Sequence, residues 1–283
     1  MTDAVRAGTR HPTGSRRAVL LWLVAIVVTL ASVVYQRVTG PTYPVRGVVT
    51  VGDTTVRFRL PTSHASDGDA ALAFEVADPS VDGVLEWRRY RSFDAWRQVP
   101  FERRDGRLVT AVPRQPPAGK VLYRIVLAGA RGDTVALTAS PVVIRFKGAV
   151  PAAVLIPHVI LMFAAMLLAT RTGLEAAVRG PRAQRLAVVT AVLLAVGGLV
   201  LGPIVQKYAF DAYWTGWPLG HDVTDMKTAV AMLVWLVALW CGRGGRPARG
   251  WLIAAAVTTL AVYLVPHSVL GSELDHTRGA PPG

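Results

Sequence analysis

Hydrophobic positions along this chain follow two unlike patterns. Over residues 44–147 apolar and polar residues alternate in short stretches, the period of strands that bury one face. Elsewhere the apolar residues run in unbroken blocks with no polar face: 18–36, 150–170, 186–205, 228–241 and 251–270. A helix needs about 20 residues to cross ~30 Å of hydrocarbon, so the blocks read as membrane spans. The fourth is too short by itself. Extended back to 222 it reaches the required length, and its first turns then contain Asp222, Asp225 and Lys227. The pattern therefore predicts helices over 18–36, 150–170, 186–205, 222–241 and 251–270. The fold class is an α+β membrane protein with five transmembrane helices, one N-terminal anchor plus a four-helix bundle, carrying an antiparallel β-sandwich over 44–147.

Within 44–147 the segments VTVGDTTVRFRL, ALAFEV, VLEWRRY, RLVTAVP, KVLYRIVLAG and TVALTASPVVIRF read as strands. Turn chemistry at Gly52-Asp53, Asp67-Gly68, Asp82-Gly83, Asp105-Gly106 and Gly132-Asp133 separates or folds them.

The formal charge of +13 would suit a nucleic-acid binder if it were gathered on one face. It is distributed by loop instead. Arg6, Arg10, Arg16 and Arg17 precede the first block; Arg171, Arg179, Arg182 and Arg185 lie between the second and third; Arg243, Arg246 and Arg249 lie between the fourth and fifth. The short segments on the other side hold Lys207, Lys227 and Arg278. Short basic loops stay cytoplasmic, so residues 1–17 are expected inside, with 44–147 and the tail 271–283 outside a cell membrane. No nucleic-acid partner is expected; the first partner is membrane lipid. A basic start before an apolar run also fits a cleaved signal peptide, but the run is long and no clean small-x-small site precedes Tyr35, which favours an anchor. Cys241 is the one cysteine, so no intramolecular disulfide is available and the outer domain must hold by packing.

The order Trp87, Tyr90, Trp96, then 113–119, then Tyr123 in VLYRIVL resembles fibronectin type III and immunoglobulin-like modules. The resemblance covers 44–147 only and implies a sandwich with an aromatic residue of a middle strand in its core. It implies no activity. Arg88, Arg89, Arg91, Arg97, Arg103, Arg104 and Arg107 crowd one part of this domain. They suit a face for anionic lipid, anionic polymer or an acidic protein partner, or are solvent-facing positions alternating with buried Trp and Leu. No Ser-His-Asp or paired-carboxylate arrangement stands out there, and His64 sits in a polar loop.

Polar residues in and beside the spans collect at the outer side. His158 follows Pro157 in the second block, His267 follows Pro266 in the fifth, and Glu273 and Asp275 come soon after. At the fourth, His221 and Asp225 are i,i+4 and Asp222 and Asp225 are i,i+3, so one helical face holds all three. Ionisable groups at membrane depth are costly and commonly mark function. One reading is a Zn or Mn site with His158, His221, Asp222, Asp225 and His267 as ligands and Glu273, with Asp225, as acid-base catalysts of a reaction at the outer face. A second is haem b held between His158 and His267. A third is a non-enzymatic anchor or assembly factor whose charges form a structural network, Lys227 against the acids. Helix capping accounts for an acid or two but not for His221. Gly198 and Gly202 predict close helix packing, and Tyr208, Phe210, Tyr213, Trp214 and Trp217 an interfacial aromatic belt. No His-Glu-x-x-His, Gly-x-Ser-x-Gly or phosphate-cradling loop is present.

Overall fold

Alternation is realised as strand structure throughout 44–147. The computed structural model describes residues 12–220, 223–265 and 273–277. After helix α1 (Pro12–Thr39) come β1 (Val45–Val51), β2 (Thr54–Leu60), β3 (Ser63–Ala65), β4 (Ala70–Glu75), β5 (Asp82–Arg89), β6 (Arg97–Pro100), β7 (Glu102–Arg104), β8 (Arg107–Val112), β9 (Lys120–Ala128), β10 (Thr134–Ala136) and β11 (Val142–Lys147). Strands β1 and β2 pair as a hairpin, β4-β8-β7 form a second sheet, and β3-β11-β9-β5-β6, with β10 added to β9, form a third. Pairing is antiparallel except between β3 and β11.

Turn chemistry explains two hairpins directly. Val51 pairs with Thr54 across Gly52-Asp53, and Gly52 takes φ 55°, which a glycine adopts without a Cβ penalty. Arg104 pairs with Arg107 across Asp105-Gly106, both at positive φ (49° and 72°), as a type I′ turn requires. Asp82-Gly83 departs from expectation. It opens β5 instead of forming a turn, and a Cβ on Gly83 would lie 2.9 Å from Leu127 Cδ2, so this glycine serves close packing. The stretch TVALTASPVVIRF is likewise two strands, β10 and β11, interrupted over 137–141.

Alternation also decides which face is buried. Val56, Phe58 and Leu60, Leu72 and Phe74, Leu85 and Trp87, Tyr123 and Ile125, and Ile144 and Phe146 join one apolar core drawn from all three sheets. Tyr123 is fully buried yet satisfied, its hydroxyl donating to Pro61 O at 2.8 Å, and burial pushes its pKa up. At the end of β5, Arg89 grips Asp94 through Nε (2.6 Å) and Nη2 (2.8 Å). That bidentate bond holds the Asp94 carboxyl down at about 2. Because the folded pKa is depressed, the pair stabilises the fold above pH ~4, and its contribution is lost as pH falls from about 4 to 2. Both groups are partly exposed, so the effect is small. Urea midpoints between pH 5 and 2 should fall less in Asp94→Asn than in the parent; equal slopes would refute this assignment.

Among the described residues three helices are long and apolar enough to cross a membrane: 16–39 within α1, α2 (Ala152–Ala177), and a continuous run over 183–210. The run comprises α3 (Ala183–Leu194), a π-helical segment (Ala195–Leu201) and α4 (Gly202–Phe210). Helices α5 (Val223–Cys241) and α6 (Arg249–Leu264) follow. Pro157 lies inside α2, where it removes one backbone donor. The chain divides into two units: one holds the described residues up to Gln36, Val159–Leu199 and Thr228–Val265; the other holds Arg37–His158, Val200–Lys227 and 273–277.

The helical unit has small residues inside and large ones outside. Ala165, Ala169, Ala187, Ala191, Ala231, Ala238 and Ala255 share one buried cluster with Trp235, while Leu20, Val27, Leu30, Ile160, Leu233 and Val257 face outward. That inversion suits lipid, where close backbone approach replaces the hydrophobic effect as the driving force. Gly197 and Gly198 in the π segment continue it, since a Cβ on Gly198 would lie 2.8 Å from Thr228 Cγ2. Trp235 donates to Thr259 Oγ1 at 2.8 Å. Arg171, which follows the second apolar block in sequence, is inside α2 together with Glu175, and both are buried. They form an ion pair at 2.7 Å, and the Arg171 guanidinium stacks on Trp22.

Candidate functional site

Asp225 organises the segment between α4 and α5. It stands in the first turn of α5, and one oxygen, Oδ2, accepts from the backbone N–H of Thr215 (2.7 Å), the backbone N–H of Gly216 (2.9 Å) and Gln206 Nε2 (3.1 Å). Gln206 also donates to Thr215 Oγ1 at 2.7 Å. Gly216 is required by this closeness: a Cβ there would sit 2.7 Å from Asp225 Cβ. The carboxylate thus stands in for missing backbone acceptors of an irregular loop, whose buried N–H groups must find a partner. Lys227, in the same helix, is buried as well. Tyr208, Tyr213 and Trp217 are exposed around this loop, as a belt at the interface needs, while Phe210 lies beneath the Arg145 guanidinium at 5.3 Å.

Glu273 is held by the strand domain. Its Oε1 meets Arg91 Nε and its Oε2 meets Lys120 Nζ, both at 2.5 Å. Leu274 N–H donates to Ala118 O and His276 N–H to Arg91 O, so 273–277 is strapped to the turns before β9 and after β5. Glu273, Thr215, Phe210 and Pro116 border a common cleft of about 370 Å³. Both Glu273 oxygens are engaged, which leaves a proton acceptor already occupied by two cations.

His158 is half-buried in the second turn of α2. His221, Asp222 and His267 lie outside the described residues, so the metal ligand set and the axial haem pair are not brought together or separated by what is described. Among the described residues no three His, Cys, Asp or Glu side chains meet in an arrangement that holds a metal ion.

Much of the Arg-rich stretch has assigned partners. Arg103 donates to the carbonyls of Val76 (3.0 Å), Asp78 (3.1 Å) and Val81 (2.6 Å), clamping the β4–β5 connection. Arg104 and Arg107 pair with Glu102 and Glu75, and Arg124 bonds Glu86. Arg88 and Arg124 both stack on Trp96, and Arg97 on Trp87. The basic group that sequence reasoning passed over is Lys120, Arg145 and Lys147. The strand period held the signal: with Val142, Ile144 and Phe146 inward, Arg145 and Lys147 must share the opposite face. Comparison of the chain with protein-family models, curated proteins and solved structures gave no match.

Proposed function

We propose that the chain is a non-catalytic membrane anchor or assembly protein. In this reading five helices span the cell membrane with the N-terminus cytoplasmic, and residues 44–147 form an extracytoplasmic β-sandwich of the fibronectin type III or immunoglobulin-like kind that presents a binding surface. One core shared by three sheets supports the sandwich, and the apolar α6, although only 16 residues long, supports a fifth span.

The observation that carries the reading is how the two acids best placed for catalysis are used. Asp225 commits its Oδ2 to Thr215, Gly216 and Gln206, and Glu273 commits both oxygens to Arg91 and Lys120. A catalytic carboxylate needs a lone pair open to substrate; a structural one needs donors on every side. The rival metal and haem readings keep His158, His221, Asp222 and His267, and they differ in composition. Metal analysis and an absorption spectrum of the detergent-purified protein should show neither stoichiometric Zn or Mn nor a Soret band, and chelator should leave the melting midpoint unmoved. Stoichiometric metal that is lost in His158→Ala would overturn the proposal in favour of a metal centre, and a Soret band in favour of haem.

A further inference from the structure

The face of the six-stranded sheet turned away from the core carries a run of cations. Arg145 on β11 is directly opposite Lys120 on β9, and Lys147 follows two positions later on the same side. Arg145 is only 5% exposed, its guanidinium lying over the Phe210 ring at 5.3 Å. Lys120 and Arg145 line a pocket of about 200 Å³ together with the hydroxyl-bearing Thr42, Thr62 and Tyr90, and with Pro41 and Val143. Glu273 is a carboxylate at this group, shared between Lys120 and Arg91.

Like charges confined together are unfavourable unless an anion joins them. Burial above all, then the nearby charges of Arg145 and Arg37, push the Lys147 ammonium below its ordinary value. Burial likewise lowers Lys120; Glu273 opposes the shift and Arg145 and Arg91 add to it. A bound oxyanion would relieve this crowding.

We propose that the pocket lined by Thr42, Thr62, Tyr90, Lys120 and Arg145, with Lys147 beside it, binds a phosphate group, carried by an anionic phospholipid or free in solution. A planar fork, ammonium groups and the hydroxyls of Thr42 and Tyr90 match the many acceptors of a tetrahedral oxyanion better than the two of a carboxylate; the Thr62 hydroxyl donates to Tyr43 O. The lipid source follows from chain reach. Pro41 and Thr42 come two and three residues after the end of α1, and Lys147 five before the start of α2. At ~3.5 Å per residue, Thr42 is within about 10 Å of a helix end, which is headgroup depth if α1 spans the bilayer. Only this lipid source rests on the membrane reading proposed above; the phosphate chemistry does not.

The test uses the full chain in an uncharged detergent, titrated calorimetrically with inorganic phosphate, with dihexanoyl phosphatidylglycerol, and with chloride at matched ionic strength. Saturable one-to-one binding of a phosphate-bearing probe and none of chloride is expected. Lys147→Gln and Lys120→Gln, each checked for an unchanged melting midpoint without ligand, should weaken it about tenfold. Binding of both probes, or of the lipid alone, supports a site that takes headgroups. Binding of inorganic phosphate alone supports the site and removes the membrane source. Absence of binding for both probes, or affinities equal in the parent and both variants, overturns the proposal.

Discussion

Replacing Asp225 by alanine is expected to cost about 3 kcal/mol and to release the loop between α4 and α5. A hydrogen bond to a charged acceptor contributes about 1.5–3 kcal/mol, and donors orphaned in a buried place lose more than the bond itself. Asp225 is 8% exposed, and its Oδ2 serves two backbone N–H groups and an amide side chain. Those losses overlap, because one oxygen is removed, which keeps the total near the value of one or two bonds. Asp225→Asn retains an acceptor oxygen and should fall between parent and alanine variant. The readouts are the thermal midpoint in detergent and amide hydrogen exchange at Thr215 and Gly216. Protection at those two amides that survives in the alanine variant would show that the carboxylate does not hold the loop.

Glu175→Ala is expected to be the most damaging single change in the helical unit, at about 3–5 kcal/mol. Arg171 and Glu175 have side chains 2% and 7% exposed and meet at 2.7 Å one helical turn apart. Truncating the acid leaves a guanidinium buried against Trp22 and apolar helix, with no counter-charge from its own turn. Replacing both partners by leucine removes the charge along with its partner and should cost less than about 1 kcal/mol, because the pair's own attraction roughly offsets its desolvation. A double-mutant cycle on thermal or chemical unfolding separates these cases. A single variant no worse than the double one would mean the pair is solvated, contrary to its burial.

These two sites show how far residue patterns reach. Hydropathy singles out Asp225, Lys227 and Glu273 as expensive groups beside a membrane segment, because the cost of a charge there is a property of the residue and its apolar neighbours in sequence. It says nothing about which groups offset that cost. Asp225 is answered by Gln206, Thr215 and Gly216 from the preceding helix and loop, and Glu273 by Arg91 of a turn and Lys120 of a strand more than a hundred residues earlier. Hydropathy ends the second block before Arg171, whereas α2 runs on to Ala177 with Arg171 and Glu175 paired inside it. The Asp82-Gly83 pair also misleads. Its dipeptide chemistry favours a turn, and packing of Gly83 against Leu127 outweighs that local preference.

What the amino-acid order by itself determined are the features set by near neighbours. Period-two alternation produced the strands of 44–147 and their buried faces; Gly52-Asp53 and Asp105-Gly106 produced two hairpins; uninterrupted apolar length produced helices fit for a bilayer. Each depends on backbone sterics and solvation summed over a few adjacent residues. What only the tertiary structure decided is every pairing across long sequence distance: the parallel contact of β3 with β11, the strap of 273–277 on the strand domain, and the convergence of Lys120 with Arg145. Such pairings are chosen by the whole packed arrangement, where burying one face commits the opposite face to whatever charges the alternation left there.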